Sequence, residues 1–155
     1  MPDISRSSQL ATLTGLLLPL DDRHLLLPNV AVAELIDYQD CHAEADSPPW
    51  YLGPISWRQH RLPLLCFEAA CGSRARVGGR ARIVVLNALG GRVQPRYIAL
   101  LIQAIPRSCK VDNQLSYVDV PLDELELAAV QVGDLIARIP DLVGLEQLLV
   151  DAGLV

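Results

Sequence analysis

Cysteine and histidine are the residue types in this chain that could carry catalysis or bind a metal. Cys41 and His42 are adjacent, which suggests a thiolate–imidazole pair, but neighbouring side chains in an extended segment point to opposite faces. Residue types that bind zinc occur at five positions: Cys41, His42, His60, Cys66 and Cys71. These positions lack the CxxC or HxxxH spacing that makes a zinc site specific. We therefore expect no catalytic residue, no metal and no other cofactor, and a small thiol- or metal-dependent enzyme is the alternative.

The glycines form no motif for nucleotide binding or hydrolysis. Gly78-Gly79 and Gly90-Gly91 are followed by neither GK[ST] nor the GxGxxG spacing of a phosphate-binding loop. The GxSxG elbow of serine hydrolases is also missing from the sequence. The motifs thus predict a protein that is not an enzyme.

Arginine is concentrated in one part of an acidic chain. The formal net charge is -5, with 13 Lys+Arg against 18 Asp+Glu. Residues 72–107 nevertheless hold seven arginines and no acid, a polarity that could steer a charged partner. A nucleic-acid-binding β-barrel that uses this segment is a second alternative. Because the segment offers only Tyr97 for base stacking, we expect no nucleic-acid partner.

Length and composition are those of one globular domain. The chain has 155 residues, of which 51% are hydrophobic and 20% charged, enough to bury a core without disulfides or metals. The apolar stretch over residues 10–20 is interrupted by Gly15 and Pro19 and is shorter than the ~20 residues of a spanning helix. The first residues lack the basic and apolar regions of a signal peptide. We expect a cytoplasmic protein with reduced thiols, no membrane insertion and a flexible tail over residues 1–7.

Short apolar runs predict a mainly β fold. Each run has the length of a strand and ends at turn residues or prolines, which favours small barrels over one broad sheet. The runs cover residues 16–20, 24–28, 30–36, 50–57, 62–67, 83–86 and 97–105. Residues 117–122 alternate in polarity and predict a further, half-buried strand.

A strong helical pattern begins only near the end of the sequence. Four leucines between residues 142 and 149 recur at helical spacing, Asp141 can cap the first turn, and Gly153 can end the helix. A weaker helical turn is predicted over residues 67–72. Residues 38–49 and 72–81 read as loops between the regular elements.

Three segments in the first half resemble the CheW-like proteins of bacterial chemotaxis. The first carries Val32 and Glu34 at the positions of a V-x-E-[VI] pattern. The second reads PPWYLGPISWR over residues 48–58, and it is similar to aP-x-[YF]-[LIV]-x-G-[VI]-[IL]-N-[LY]-R-G. The third, RLPLLC over residues 61–66, is similar to x-[IV]-P-[VI]-[VI]-D-L. Their order and intervals also agree, and the resemblance extends over about residues 13–154.

The chain departs from the family pattern at several positions. Gln59 replaces the glycine that follows the arginine, and Cys66 replaces the aspartate after the proline strand. Arg96 and Tyr97 stand where a glycine usually opens a later strand. By this resemblance the chain is a divergent member, most similar to the ChpC type of coupling protein, which serves chemosensory systems of type IV pili and twitching motility.

The resemblance implies both a fold and a role. The fold would be two small five-stranded SH3-like β-barrel subdomains that share a hydrophobic interface, with a C-terminal helix, over residues 8–155. The role would be a non-catalytic adaptor between the cytoplasmic tip of methyl-accepting chemoreceptors and the regulatory domain of a CheA-type histidine kinase. Partner binding is expected at six residues: Val32, Glu34, Gly53, Ile55, Trp57 and Arg58.

Ordinary structural roles are the alternatives for these residues. Glu34 could simply keep an edge strand soluble, and Gly53 could permit a bulge or a close backbone approach. Trp57 would by default belong to the core, together with Trp50 and Tyr51. Arg58 could be a surface residue of a turn, although its planar guanidinium is also suited to hold a partner's carboxylate.

Overall fold

Two β-sheets are the main regular structure of the computed structural model, which describes residues 12–112 and 116–155. The tail predicted over residues 1–7 lies outside the described residues. In chain order the strands are β1 (Thr12–Pro19), β2 (His24–Pro28), β3 (Val32–Asp37), β4 (Tyr51–Trp57), β5 (His60–Leu65), β6 (Arg82–Asn87), β7 (Tyr97–Ile102), β8 (Arg107–Asp112), β9 (Ser116–Tyr117), β10 (Glu126–Val132) and β11 (Leu135–Pro140). The helices are α1 (Phe67–Ala70) and α2 (Leu142–Asp151), and a 3₁₀ turn spans Asn29–Ala31. The predicted class, mainly β with a C-terminal helix, is confirmed.

The strands divide into a six-stranded and a five-stranded sheet. The six-stranded sheet has the order β8-β1-β2-β11-β10-β9, and the five-stranded sheet has the order β3-β6-β7-β5-β4. Neighbours are antiparallel except for the pairs β2–β11 and β5–β7. The five-stranded sheet is formed between β2 and β8 in the sequence, so the six-stranded sheet draws strands from both ends of the chain. The sixth strand of that sheet, β9, is only two residues long.

The apolar residues of β6 alternate between two cores. Val84 and Leu86 join the cluster that both sheets share with α2, whereas Ile83 and Val85 join the cluster inside the five-stranded sheet. A strand that is buried on both faces needs apolar residues at successive positions, which explains the continuous runs in the sequence. The cluster shared by the two sheets is the hydrophobic interface that the resemblance implies.

Helix α2 begins and ends where the sequence predicts. The Asp141 side chain accepts a hydrogen bond from the Gly144 N–H (2.9 Å), and Gly153 follows the last turn with φ +70°. Leu145 and Leu149 are fully buried in the cluster that the helix covers. In the described part of the chain, no helix has the length and apolar character needed to cross a membrane.

The second half of the chain holds strands that the pattern did not reveal. Strands β8, β10 and β11 contain arginine, lysine or alanine among their apolar residues, so no run of strand type stands out. The strand predicted over residues 117–122 is wrong beyond its first residue, since β9 ends at Tyr117. Pro121 cannot donate a ladder hydrogen bond, which disfavours a strand at that position.

Candidate functional site

The turn between β4 and β5 projects the residues of the candidate site. Arg58 and Gln59 both have positive φ, +45° and +66°, as in the two-residue turns that join twisted antiparallel strands. The turn makes Trp57 and His60 the last cross-strand pair of the hairpin. It therefore places an arginine at the tip and an aromatic side chain beside it on each strand.

Five side chains around this turn form what we call the rim cluster: Glu34, Trp57, Arg58, His60 and Tyr97. The Trp57 indole Nε1–H donates a hydrogen bond to Glu34 Oε1 (2.9 Å), and the Arg58 Nη2 forms an ion pair with the same oxygen (3.0 Å). Glu34 and Trp57 belong to β3 and β4, the two edge strands of the five-stranded sheet. The contact therefore links the edges of the sheet.

The aromatic side chains of the rim cluster, Trp57, His60 and Tyr97, pack against each other. The Trp57 ring lies edge-on to the Tyr97 ring at a centroid distance of 4.9 Å and is stacked near His60 at 6.0 Å. The Arg58 guanidinium carbon lies 5.2 Å from the centroid of the Trp57 ring, which is within the range of a cation–π contact. Such contacts contribute about 0.5–1.5 kcal/mol each, enough to favour one orientation of the arginine.

The Arg58 side chain is held in place and is still accessible. It is 70% exposed, and that of Glu34 is 38% exposed. A guanidinium has five N–H donors, and the contact with Glu34 leaves others free to bind a partner's carboxylate. The default expectation that Trp57 is a core residue is only partly met, because the ring is half-buried and forms the surface under Arg58.

Gly53 has a structural role in β4, the strand that carries Trp57. Its φ is +128°, and an added Cβ would lie 2.7 Å from the carbonyl carbon of His42. The register shifts between Tyr51 and Gly53, as at a β-bulge. The close backbone approach that was the structural alternative for Gly53 is therefore present, and it allows the loop of residues 38–49 to pack on β4.

The same loop covers part of the β4 edge. The Gln39 side-chain amide donates to Ser56 O (2.8 Å) and accepts from Ser56 N–H (3.1 Å), as a neighbouring strand would. The Cys41 thiol donates to Leu52 O (3.3 Å). These bonds satisfy backbone groups that an open strand edge would offer to another chain.

Two predicted site residues pack in or against the hydrophobic clusters. Ile55 is 3% exposed and belongs to the cluster inside the five-stranded sheet. Val32 is half-buried against the cluster shared by the two sheets. Of the six predicted residues, the structure thus brings Glu34, Trp57 and Arg58 into one surface cluster, with the other three as internal supports.

Sequence reasoning missed His60 and Tyr97 as members of the cluster. The hairpin offered a signal for His60, since a two-residue turn at Arg58-Gln59 places it opposite Trp57. Tyr97 begins β7, 40 positions beyond Trp57 in the sequence numbering, and only the parallel pairing of β5 with β7 brings the two together. No local pattern carries that information.

The cysteines are free thiols, with Cys66 buried and the other three half-buried. Burial raises the pKa of the Cys66 thiol to about 12 and that of Cys71 to about 11, and it also raises the pKa values of Cys41 and Cys109. A thiol must ionise to act as a nucleophile, so these environments disfavour that chemistry. Among the described residues, no three or more His, Cys, Asp or Glu side chains are grouped as a metal site would require.

The arginine-rich segment is divided among several intramolecular ion pairs. Arg76 pairs with Asp21 (2.7 Å), and Arg82 pairs with Asp37 (3.2 Å). Arg92 lies 3.5 Å from the buried Glu146. Acids from other parts of the chain therefore neutralise part of the charge that a nucleic acid would need.

Comparisons with known proteins agree with this architecture. The sequence model of a protein family described as the CheW-like domain matches residues 14–148. The crystal structure of the scaffolding protein TtCheW from Thermoanaerobacter tengcongensis is similar, with a TM-score of 0.69, 16% sequence identity and 83% of each chain covered. At this identity the structural likeness establishes a shared fold. No curated protein sequence gives a significant match.

Proposed function

This chain belongs to the CheW-like domain family, and from that premise we propose that it is a non-catalytic coupling adaptor of a chemotaxis-type signalling system. It bridges the cytoplasmic tip of methyl-accepting chemoreceptors and the regulatory domain of a CheA-type histidine kinase, and it acts in the cytoplasm. The rim cluster is its docking face. The observation that carries the proposal is Arg58, which is oriented by Trp57 and Glu34 and yet remains largely exposed.

The chemistry of the rim cluster is that of a protein interface. Tryptophan, tyrosine and arginine are the residue types that contribute most to binding energy between proteins. An arginine that is already ordered loses less side-chain entropy when a partner binds, which raises affinity. A surface of this composition can bind a partner protein without any catalytic group.

The sequence departures motivate a finer assignment. The chain departs from the family pattern at Gln59 and Cys66, and its resemblance to the ChpC type among divergent members supports a role in a system that controls type IV pili and twitching motility. Both residues lie near the β5 strand that carries the docking face, so one of the two partner contacts is expected to be weaker than the other. Loss of twitching on deletion of the gene, restored by the wild-type gene, would test this assignment.

Binding to each partner separately tests the proposed function. The purified chain is titrated calorimetrically with a receptor tip and with a kinase regulatory domain from the same organism. We expect the wild type to bind at least one of them, and Arg58→Glu to lower that affinity about tenfold or more, because the new carboxylate repels both Glu34 and an acidic partner.

Arg80→Glu is the matched control for this experiment. Arg80 is exposed in the loop that precedes β6, at the opposite end of that strand from Asn87, which pairs with Tyr97. The charge change is identical, so an equal loss of binding in both variants would point to a general charge effect instead of a specific face. Failure of the wild type to bind either partner would refute the proposal.

A further inference from the structure

We propose that Gln39 is a positioning residue of the rim cluster, because its side chain joins the β4 edge to the chain that continues from β3 and so keeps Trp57 in contact with Glu34. Strands β3 and β4 are the two edge strands of the five-stranded sheet and are not ladder partners. We call the line where they meet, between residues 34–39 and residues 56–57, the seam. The inference rests on the proposed function and adds a residue outside the rim cluster on which the docking face depends.

Side chains, and not a backbone ladder, hold the seam together. At Trp57, the indole N–H donates to Glu34 Oε1 (2.9 Å). One residue earlier, the Gln39 side-chain amide donates to Ser56 O (2.8 Å) and accepts from the Ser56 N–H (3.1 Å). Among the residues that the structure describes, no backbone hydrogen bond crosses the seam. Two adjacent residues of β4 therefore depend on Glu34 and Gln39 for their contact with the opposite edge.

The Gln39 amide restrains the peptide group that leads into Trp57. The carbonyl oxygen of Ser56 and the backbone nitrogen of Trp57 belong to one planar peptide unit, so a hydrogen bond to that oxygen restrains the plane of the whole unit. Outside the β4–β5 ladder, the hydrogen bonds described for the Ser56 backbone both come from Gln39. Gln39 therefore helps to set the orientation of the Trp57 backbone and the direction of its indole.

The other contacts of this loop lie further from the turn. The Cys41 thiol, a weak donor, bonds to Leu52 O (3.3 Å), and the loop backbone packs closely on Gly53. Gly53 is three residues and Leu52 four residues before Ser56. Gln39 thus supplies the hydrogen bonds described between the loop and the last residues of β4.

A partner binds only those molecules in which the docking face is assembled. Its apparent affinity falls in proportion to the fraction of molecules in that state. Both contacts of the seam are open to water, since the Glu34 side chain is 38% exposed and Ser56 is also exposed, so water competes for each hydrogen bond. Loss of the Gln39 amide should therefore lower the fraction of molecules in which the indole supports Arg58, while the protein stays folded.

The Trp57 indole reports on the seam without any partner. The chain has two tryptophans, so the indole N–H of Trp50 is an internal reference in the NMR spectrum. We expect Gln39→Ala to shift the Trp57 indole signal and to speed its hydrogen exchange, with the Trp50 signal unchanged. Gln39→Glu should change the Trp57 signal in the same direction, because a carboxylate can accept from the Ser56 N–H but cannot donate to Ser56 O.

Gln103→Ala is the matched control for the binding measurement. The Gln103 side-chain amide also bonds to two backbone groups, donating to Arg76 O (2.8 Å) and accepting from the Gly78 N–H (2.8 Å). Gln103 follows β7 at the end of the strand away from Tyr97. For the partner that binds the wild type, calorimetry should give an affinity about threefold to tenfold lower for Gln39→Ala and an unchanged affinity for Gln103→Ala.

A double-mutant cycle shows whether Gln39 acts through the indole. Trp57→Phe has no indole N–H to position, so Gln39→Ala should weaken binding less in that background than in the wild type. Equal losses in the two backgrounds would refute the inference. An indole signal or a partner affinity that stays at the wild-type value in Gln39→Ala would also refute it and leave the proposed function standing, with Gln39 merely covering a strand edge. If the wild type binds neither partner, the proposed function itself fails, and the indole signal alone decides whether Gln39 holds the seam.

Discussion

Two clusters of arginine and carboxylate in the described part of the chain differ in the burial of their central residues. In the rim cluster, the side chains of Arg58 and Glu34 are 70% and 38% exposed. In the second, which we call the inner ion cluster, the side chains of Arg23 and Glu126 are 12% and 1% exposed. The inner ion cluster consists of Asp22, Arg23, Asp123, Glu126 and Arg138.

The charged side chains of the inner ion cluster form hydrogen bonds with groups of the same molecule. The Arg23 guanidinium donates from Nε and Nη2 to Asp22 and from Nη1 to both Asp123 and Glu126. Arg138 donates to Glu126 (3.2 Å) and to Pro121 O (2.7 Å). These bonds join the turn after β1 to the segment before β10. The same residue types therefore stabilise the fold where they are buried and satisfied, and are available to a partner where they are exposed.

Removal of the buried carboxylate should have the largest effect on stability. Glu126→Ala leaves Arg23 and Arg138 without their shared partner, so we expect the free energy of unfolding to fall by about 3 kcal/mol. Urea unfolding measures this, with the exposed Glu124→Ala as a control that should change stability by less than about 0.5 kcal/mol. If the two variants are equally stable, the inner ion cluster does not stabilise the fold as the comparison requires.

Gly53→Ala should be the second largest perturbation. The added Cβ meets the His42 backbone at 2.7 Å in a conformation of positive φ, so we expect a loss of about 2–3 kcal/mol in unfolding free energy. Gly72→Ala is the matched control, since Gly72 also has positive φ (+99°) but no atom within 4 Å of the added Cβ, and it should cost about 1 kcal/mol. Equal costs would show that backbone conformation, and not the close approach to the loop, makes glycine necessary at position 53.

Trp57→Phe should separate binding from stability within the rim cluster. The phenyl ring keeps aromatic contact with Tyr97 but cannot donate to Glu34, so we expect less than about 1 kcal/mol of destabilisation. Partner affinity, measured by calorimetry, should fall severalfold because Arg58 loses part of its support. Affinity equal to that of the wild type would mean that the indole N–H does not prepare the docking face.

The smallest expected effect is a change in acid stability at the edge of the inner ion cluster. The hydrogen bonds from Arg23 lower the pKa of Asp22 below its ordinary value of 3.8, with desolvation acting in the opposite direction. A lowered pKa in the folded state gives stability that is complete above about pH 4 and is lost as the pH falls through the folded value. Unfolding of Asp22→Asn between pH 2 and 5 should therefore depend less on pH than that of the wild type. An unchanged dependence would show that Asp22 contributes nothing to acid stability.

The sequence predicts the local elements of the site better than its contacts. The β4–β5 hairpin and the capped helix α2 follow from short-range patterns, because turn residues, caps and periodicity act within a few positions. The contact between Glu34 and Trp57 joins residues on opposite edge strands, and it depends on how the five-stranded sheet curves. A solvated Glu34 was therefore a reasonable expectation from the sequence alone.

The second half of the chain was harder to predict for a different reason. Strand β10 places Ala128 and Ala129 in the sheet, and its first residue is the buried Glu126 of the inner ion cluster. In the sequence, an acidic residue at a strand end looks like a loop residue, because acids are rarely buried without partners. Its partners here, Arg23 and Arg138, are distant in the sequence. A prediction based on hydropathy therefore misses this strand, because its acidic residue is buried by long-range ion pairs.

The most direct test of the central claim compares binding and stability in the same two variants. Arg58→Glu should lose about tenfold or more in affinity for the receptor tip or the kinase regulatory domain and change the unfolding free energy by less than about 1 kcal/mol. Glu126→Ala should do the reverse under conditions in which it remains folded. If Arg58→Glu binds its partners as well as the wild type does, the rim cluster is not a docking face.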